Sequence, residues 1–292
     1  VASSGKFAPF WLQSNRNGNI SASPYSGNIS AGVFKPARQS RRWYDYDFAI
    51  QLTSRLQSEI PTQFIPYRNS ATGYFNQLYA HVRLYFVDIT AGIKPIIYES
   101  IDPLLSSGSL ILSGNSQPIP RITIGIDDYI PIPGLFGYME LKGGITYGWF
   151  PDNVYIKGCH YHHKYAALRF GGKLPINISY EFHHAAQWGG FSPLYGDLNG
   201  GDWGKSFLHV FLAKGGGTNP NDQLNAQGNH ITNQQLAVSA KGEEWIVTAY
   251  WQDFAESNFA FLGLGRNIAD GIWGVSVQQS KWPYIEGATY EY

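Results

Sequence analysis

The 292-residue chain has one cysteine, Cys159, so no internal disulfide can form and cysteine usage does not reveal the compartment. Charged residues make up only 14% of it, well under the roughly 25% of ordinary soluble domains. Lys plus Arg and Asp plus Glu stand at 21 each, leaving no net charge. A nucleic-acid backbone is held by a basic surplus, so nucleic acid is not an expected partner. No run approaches the roughly 18 consecutive apolar residues of a membrane-spanning helix. That excludes helical crossing and leaves crossing by strands open. The opening Val1-Ala2-Ser3-Ser4-Gly5 lacks the charged and apolar regions of a signal peptide, and reads as the start of a mature or shortened chain.

What is abundant is aromatic. Phe, Trp and Tyr reach 16% of the chain, with 20 Tyr and 9 Trp, yet mean hydropathy is only −0.23. Low charge, many rings and moderate polarity fit a β-barrel with one face in lipid and the other wet. A secreted β-sandwich is the alternative, and composition does not separate the two.

Alternation supplies the next step. Between His163 and Gly190 the sequence predicts a hairpin. In its second half Ile176, Ile178, Tyr180 and Phe182 share one face, with Asn177, Ser179, Glu181 and His183 on the other. In its first half Ala166, Leu168 and Phe170 oppose Tyr165, Ala167 and Arg169, and Gly171-Gly172-Lys173-Leu174-Pro175 forms the turn. Tyr74–Val87 sets Leu78, Ala80, Val82, Leu84 and Phe86 against Gln77, Tyr79, His81, Arg83 and Tyr85. A solvent-washed strand face usually carries Lys, Glu and Thr; Gln, His, Arg and Tyr suit a water-filled or plugged lumen. The lumen-facing set expected on this basis is Arg83, His81, Glu140, Arg169, Glu181 and His183.

Further strands are expected at 47–55, 89–98, 121–126, 139–149, 207–213, 232–240, 244–254, 271–279 and 285–292, about a dozen in all with no helix. Residues 1–40 lead into the sheet, and 101–120 form an ordered loop that folds inward. Trp149-Phe150 suits an interfacial aromatic girdle. The expected fold is therefore all-β, a large antiparallel transmembrane β-barrel of outer-membrane type with a plugged lumen, spanning 1–292 as one domain. The turns raise a conflict. With a strand at 207–213, the tight turn at 171–175 and the equally tight turn at 241–243 fall at opposite ends.

Several blocks carry a family likeness. They are Leu105-Ser-Ser-Gly-Ser-Leu110 through Gly114-Asn-Ser-Gln-Pro-Ile-Pro120, Gly143-Gly-Ile-Thr-Tyr-Gly-Trp-Phe150, and His163-Lys-Tyr165 with Arg169-Phe-Gly-Gly-Lys-Leu-Pro175. His184-Ala-Ala-Gln-Trp-Gly-Gly190, Gly228-Asn-His230 and Asp270-Gly-Ile-Trp-Gly274 complete the series. In order and spacing the chain resembles the capsule-assembly Wzi-like outer-membrane proteins, in their Bacteroidetes-type form. The resemblance implies a bacterial outer-membrane barrel with a plugged lumen, acting as a non-catalytic lectin that attaches capsular polysaccharide to the cell surface. Family chains run beyond the block around Tyr290-Glu291-Tyr292, so the resemblance also implies that these strands are part of a larger barrel. The partners it implies are surface polysaccharide, outer-membrane lipid or lipopolysaccharide, and other envelope proteins. A porin-like or structural subunit of an envelope complex is the alternative function.

Each candidate chemistry has a plainer counterpart. Cys159-His160-Tyr161-His162-His163 combines soft and imidazole ligands, but no second cluster with ligand spacing follows, so no metal and no cofactor is expected. Glu140, Glu181 and Asp127-Asp128 supply carboxylates of the kind glycan hydrolysis needs. Carboxylates paired with Arg83 or Arg169 are the commoner arrangement, however, and no nucleophile elbow or phosphate loop is present. The chain is not expected to be an enzyme. Sugar recognition asks for flat rings beside planar polar groups. Trp188, Tyr195, Asp197, Asn199, Asp202 and Trp203 offer that combination within one glycine-rich stretch, and are the candidate polysaccharide-binding residues. The same rings would equally serve as girdle anchors.

Overall fold

The computed structural model describes residues 1–37, 43–58, 70–96, 102, 104–151, 155–256 and 270–292. Contacts divide the chain into two compact units, Val1–Tyr85 with Thr90–Pro120, and Phe86–Ile89 with Arg121–Tyr292.

In the first unit a short helix α1 (Phe10–Gln13) precedes β1 (Ser26–Lys35), β2 (Tyr44–Gln57) and β3 (Ser70–Leu84). Strand β4 (Val87–Ile93) straddles the division. β1 pairs antiparallel with β2 from Ser26↔Gln57 to Lys35↔Phe48. β2 pairs antiparallel with β3, with a register shift between Gln51 and Leu52. The predicted faces hold as far as Leu84: Leu78, Val82 and Leu84 are exposed, while His81 is buried against the Asp47 carboxylate and Arg83 is half-buried on the same side. The strand stops there, and Tyr85, expected on the polar face, is exposed in a turn. The stretch after β4 packs on the N-terminal segment. Asn15 donates through Nδ2 to the Ser106 carbonyl (2.9 Å) and through its backbone N–H to Asn115 Oδ1 (2.9 Å). Of the strand expected at 89–98, residues 97–98 lie outside the described residues, as do 101 and 103 of the expected loop.

The second unit holds β5 (Pro120–Pro131), β6 (Met139–Trp149), β7 (His160–Phe170), β8 (Ile176–Trp188) and the two-residue pair β9 (Phe191–Ser192) and β10 (Gly196–Asp197). Helices α2 (Trp203–Leu212) and α3 (Pro220–Leu224) follow, then β11 (Asn229–Lys241), β12 (Trp245–Glu256), β13 (Ile272–Gln279) and β14 (Gly287–Glu291). Its long strands run in the order β5-β6-β7-β8-β11-β12-β13-β14, each antiparallel to the next. The β7–β8 turn takes its shape from Gly171 (φ 111°) and Gly172 (φ 48°), values that side chains strain against.

Burial on these strands is inverted relative to a soluble sheet. Leu168, Phe170, Ile176, Ile178, Leu236 and Val238 are exposed, and Lys142, His163, Glu181, His183, Asn233, Gln235 and Gln252 are buried.

The strand expected at 207–213 is a helix, and this corrects the all-strand expectation. Asp202 caps α2 by accepting from the Lys205 N–H, and Ala213, in a left-handed conformation, closes it by donating to the His209 and Val210 carbonyls. Removing that strand resolves the conflict between the turns. β8 pairs directly with β11, Asn229↔Gln187 to Ala240↔Ile176, so the whole stretch 189–228 is one excursion from one end of the sheet. The tight turns then lie together at the other end, where the Lys241 N–H donates to the Pro175 carbonyl (2.8 Å).

Candidate functional site

The excursion 189–228 folds back onto the sheet face that carries the exposed aliphatics. Along β7, His160, His162 and Lys164 share a face with Leu168; along β8, Ala186 and Trp188 share one with Phe182. Helix α2 lies on these residues. Its Val210 is fully buried with Ala186 and Trp188, and Phe207 and Tyr147 pack around them. Phe207 and Phe211 reach His162 at ring-centroid distances of 5.6 and 5.4 Å. Positions 203, 207 and 211, spaced by four, form the helix stripe that makes these contacts.

Trp203 opens the helix. Its ring lies over Phe207 (5.5 Å, 5° between planes), its indole N–H donates to the Tyr147 hydroxyl (3.3 Å), and 54% of the residue is exposed. Tyr147 also bonds His160 Nδ1 (2.8 Å). Tyr195 stands 69% exposed on the β9–β10 turn. Trp188, by contrast, is 2% exposed and tilted against His160 at 4.7 Å. As a direct sugar contact it is therefore corrected: its ring supports the floor on which α2 rests.

The polar members of the set are partly spent on the loop itself. Asn199 accepts from the Gly190 N–H (2.9 Å) and donates to Asp197 Oδ1 (2.6 Å). Asp202 Oδ1 accepts from the Lys205 N–H (3.0 Å), and that bond holds its carboxyl below the usual carboxylate range. The exposed rings of Tyr195 and Trp203 and the exposed Asp197 carboxylate remain.

Beneath α2 the metal-like run is dispersed. Cys159 Sγ points at the Trp188 carbonyl (3.5 Å), and burial pushes its thiol pKa up. His163 lies on the far face, bonded to His183 (Nε2 to Nδ1, 3.1 Å).

That far face is a network of paired charges. Lys142 Nζ is 3.2 Å from Glu181 Oε1, both buried, and His183 Nε2 is 3.3 Å from Glu181 Oε2. The Tyr129 hydroxyl donates to Glu181 Oε1 (3.2 Å), and its ring sits under Lys142 (4.8 Å) and Arg169 (4.2 Å). Arg169 Nε donates to Glu140 Oε2 (2.6 Å). Glu140, Arg169, Glu181 and His183 thus share the buried polar face assigned to them from alternation. Lys142 and Tyr129 were missed, although Lys142 sits two positions from Glu140 and so on its face. Glu140 and Glu181 thus each have a basic partner within this network, Arg169 and Lys142.

No protein-family model matches the chain, and no curated protein matches it. Solved structures resemble it loosely. A mutant form of the Rh. blastica porin aligns at 11% identity over 95% of this chain and 89% of the porin, with a TM-score of 0.33. OmpT, an outer membrane protein of Vibrio cholerae, aligns at 9% identity over 91% and 86%, with a TM-score of 0.35. Salmonella typhi OmpF, solved with daunomycin, aligns at 6% identity over 91% and 90%, also at 0.35.

Proposed function

We propose that the chain forms the wall of a non-catalytic bacterial outer-membrane β-barrel whose excursion 189–228 holds surface polysaccharide, in the manner of the Wzi-like proteins. The observation that carries the membrane reading is the inverted burial of the second unit. Exposed Leu168, Phe170, Ile178, Leu236 and Val238 on one face and buried Lys142, Glu181, His183, Asn233 and Gln252 on the other are what lipid outside and a filled lumen inside require. The exposed ring of Trp149 on the apolar face suits its interfacial edge. The sugar-binding part rests on Tyr195, Asp197 and Trp203 together with the resemblance in motif order.

The test is a pull-down of detergent-solubilised protein on immobilised surface polysaccharide from the native cell, comparing wild type with Trp203→Ala and Tyr195→Ala. The expected result is retention by wild type and its loss in both variants. Retention unchanged in both variants would remove these residues from the site. No retention at all, with protein that still needs detergent, would favour the structural-subunit reading, to which the exposed Phe191 and Leu194 on the same excursion also lend an apolar docking surface.

A further inference from the structure

Among the charged groups on the apolar face, Lys164 stands out. It is half-buried, its ammonium donates to the Phe211 carbonyl and lies 4.1 Å from the Phe211 ring centroid, and no carboxylate among the described residues pairs with it. The Phe211 carbonyl belongs to the last turn of α2, where backbone acceptors are unpaired and the helix dipole is negative. A partial charge and a ring temper a whole positive charge without neutralising it. A cation on a lipid-facing wall calls for a full counter-charge.

Beside Lys164 the same face is hollowed. A groove of about 520 Å³ runs between Ile124, Ile145, Phe182 and Phe211 over a floor of Gly143 and Ala166. Gly143 is needed there for packing: a Cβ on it would stand 2.8 Å from the Tyr165 carbonyl oxygen. The small floor residues thus hollow the groove, and its lining carries a single cation, Lys164.

We propose that Lys164 and the Gly143–Ala166 groove seat an anionic lipid, its phosphate on the ammonium and the first segment of an acyl chain along the groove. This rests on the membrane reading above. The charge selects the head and the groove the tail. Free phosphate has no tail, and a zwitterionic lipid offers the same phosphate and tail but already answers that phosphate with its own ammonium, so the net negative head is what Lys164 favours.

Delipidated full-length protein in detergent is titrated with dioctanoyl phosphatidic acid, dioctanoyl phosphatidylcholine or inorganic phosphate, and bound molecules are counted by native mass spectrometry. The expected result is one phosphatidic acid per chain, with phosphatidylcholine and inorganic phosphate weaker by about tenfold, the value of one charge-assisted contact. Lys164→Gln, and Ala166→Phe, which fills the floor without touching the charge, should each lose about tenfold, while Lys164→Arg keeps binding. Equal binding of phosphatidylcholine, full binding of inorganic phosphate alone, or unchanged binding in K164Q and A166F would each overturn the proposal. A nitroxide on Leu168→Cys reports the membrane reading separately. Lipid contact there with no selective retention sinks the seat alone, and no lipid contact there sinks the reading beneath it.

Discussion

Trp203 stacks face to face on Phe207, one turn further along α2, with ring centroids 5.5 Å apart and planes 5° from parallel. Phe207 in turn meets Trp188 at 6.4 Å and Tyr147 at 6.1 Å. The exposed ring is held in place from below. Phe207→Ala should therefore cost about 3 kcal/mol in unfolding and loosen α2, whereas Trp203→Ala, half in solvent, should cost about 1 kcal/mol or less. Denaturant unfolding of both variants checks the order, and equal costs would show that the helix does not depend on this stack.

Glu181 answers to Lys142, His183 and Tyr129 at once. Glu181→Ala leaves the Lys142 ammonium in a buried place without its carboxylate, a loss of about 3–5 kcal/mol. Lys142→Met with Glu181→Leu removes both charges and should recover most of that loss. Thermal midpoints of the single and double variants decide it: no recovery in the double would mean that the pair is not the source of the cost.

The cap on α2 makes one stretch of the excursion sensitive to acid. The Asp202 carboxyl titrates below its free value of 3.8 because the Lys205 amide donates to it. A depressed carboxyl contributes stability that is present above its unfolded pKa and is lost as pH falls through the folded one. Docking of α2, followed by Trp fluorescence, should hold down to about pH 4 and weaken below it. Asp202→Asn keeps a capping oxygen but has no proton to gain, so the acid-side loss should shrink. An identical profile in the variant would assign the acid response to another group.

The two ends of the second unit should be reached from opposite sides of the membrane. The turns at 171–175 and 241–243 share one end, tied by the Lys241–Pro175 backbone bond, and the excursion leaves from the other. Lys173→Cys and Tyr195→Cys, treated in whole cells with a membrane-impermeant maleimide, should label differently, only Tyr195→Cys reacting before the cells are broken. The buried Cys159 contributes little background. Labelling of both in intact cells would contradict a membrane-spanning wall.

The strands were legible because their two faces differ in chemistry at every second residue. Ile176, Ile178 and Tyr180 against Ser179 and Glu181 leave only one register that sends each set to its own side. The same alternation misled at Phe207–Ala213. There apolar residues occur on every side, so a period of two fits as well as a helical one. The distinguishing marks lay just upstream, in the Asp202 cap and the fourfold spacing of Trp203, Phe207 and Phe211. Of the proposed sugar-contact set, the sequence located the stretch, but the depth of Trp188 depended on α2 lying across it. Lys164 escaped notice because its counterpart, the Phe211 carbonyl, belongs to the backbone, on which side-chain patterning is silent.

Because β8 hands over directly to β11, the excursion departs from and returns to adjacent strands. Everything between Gly189 and Gly228 is in this sense a cassette. The ladder from Gln187↔Asn229 to Ile176↔Ala240 would close over a shorter or unrelated insert, provided the insert covers His162, against which Phe207 and Phe211 of α2 now pack. Length and sequence in the cassette can then change while the strands on either side keep their register.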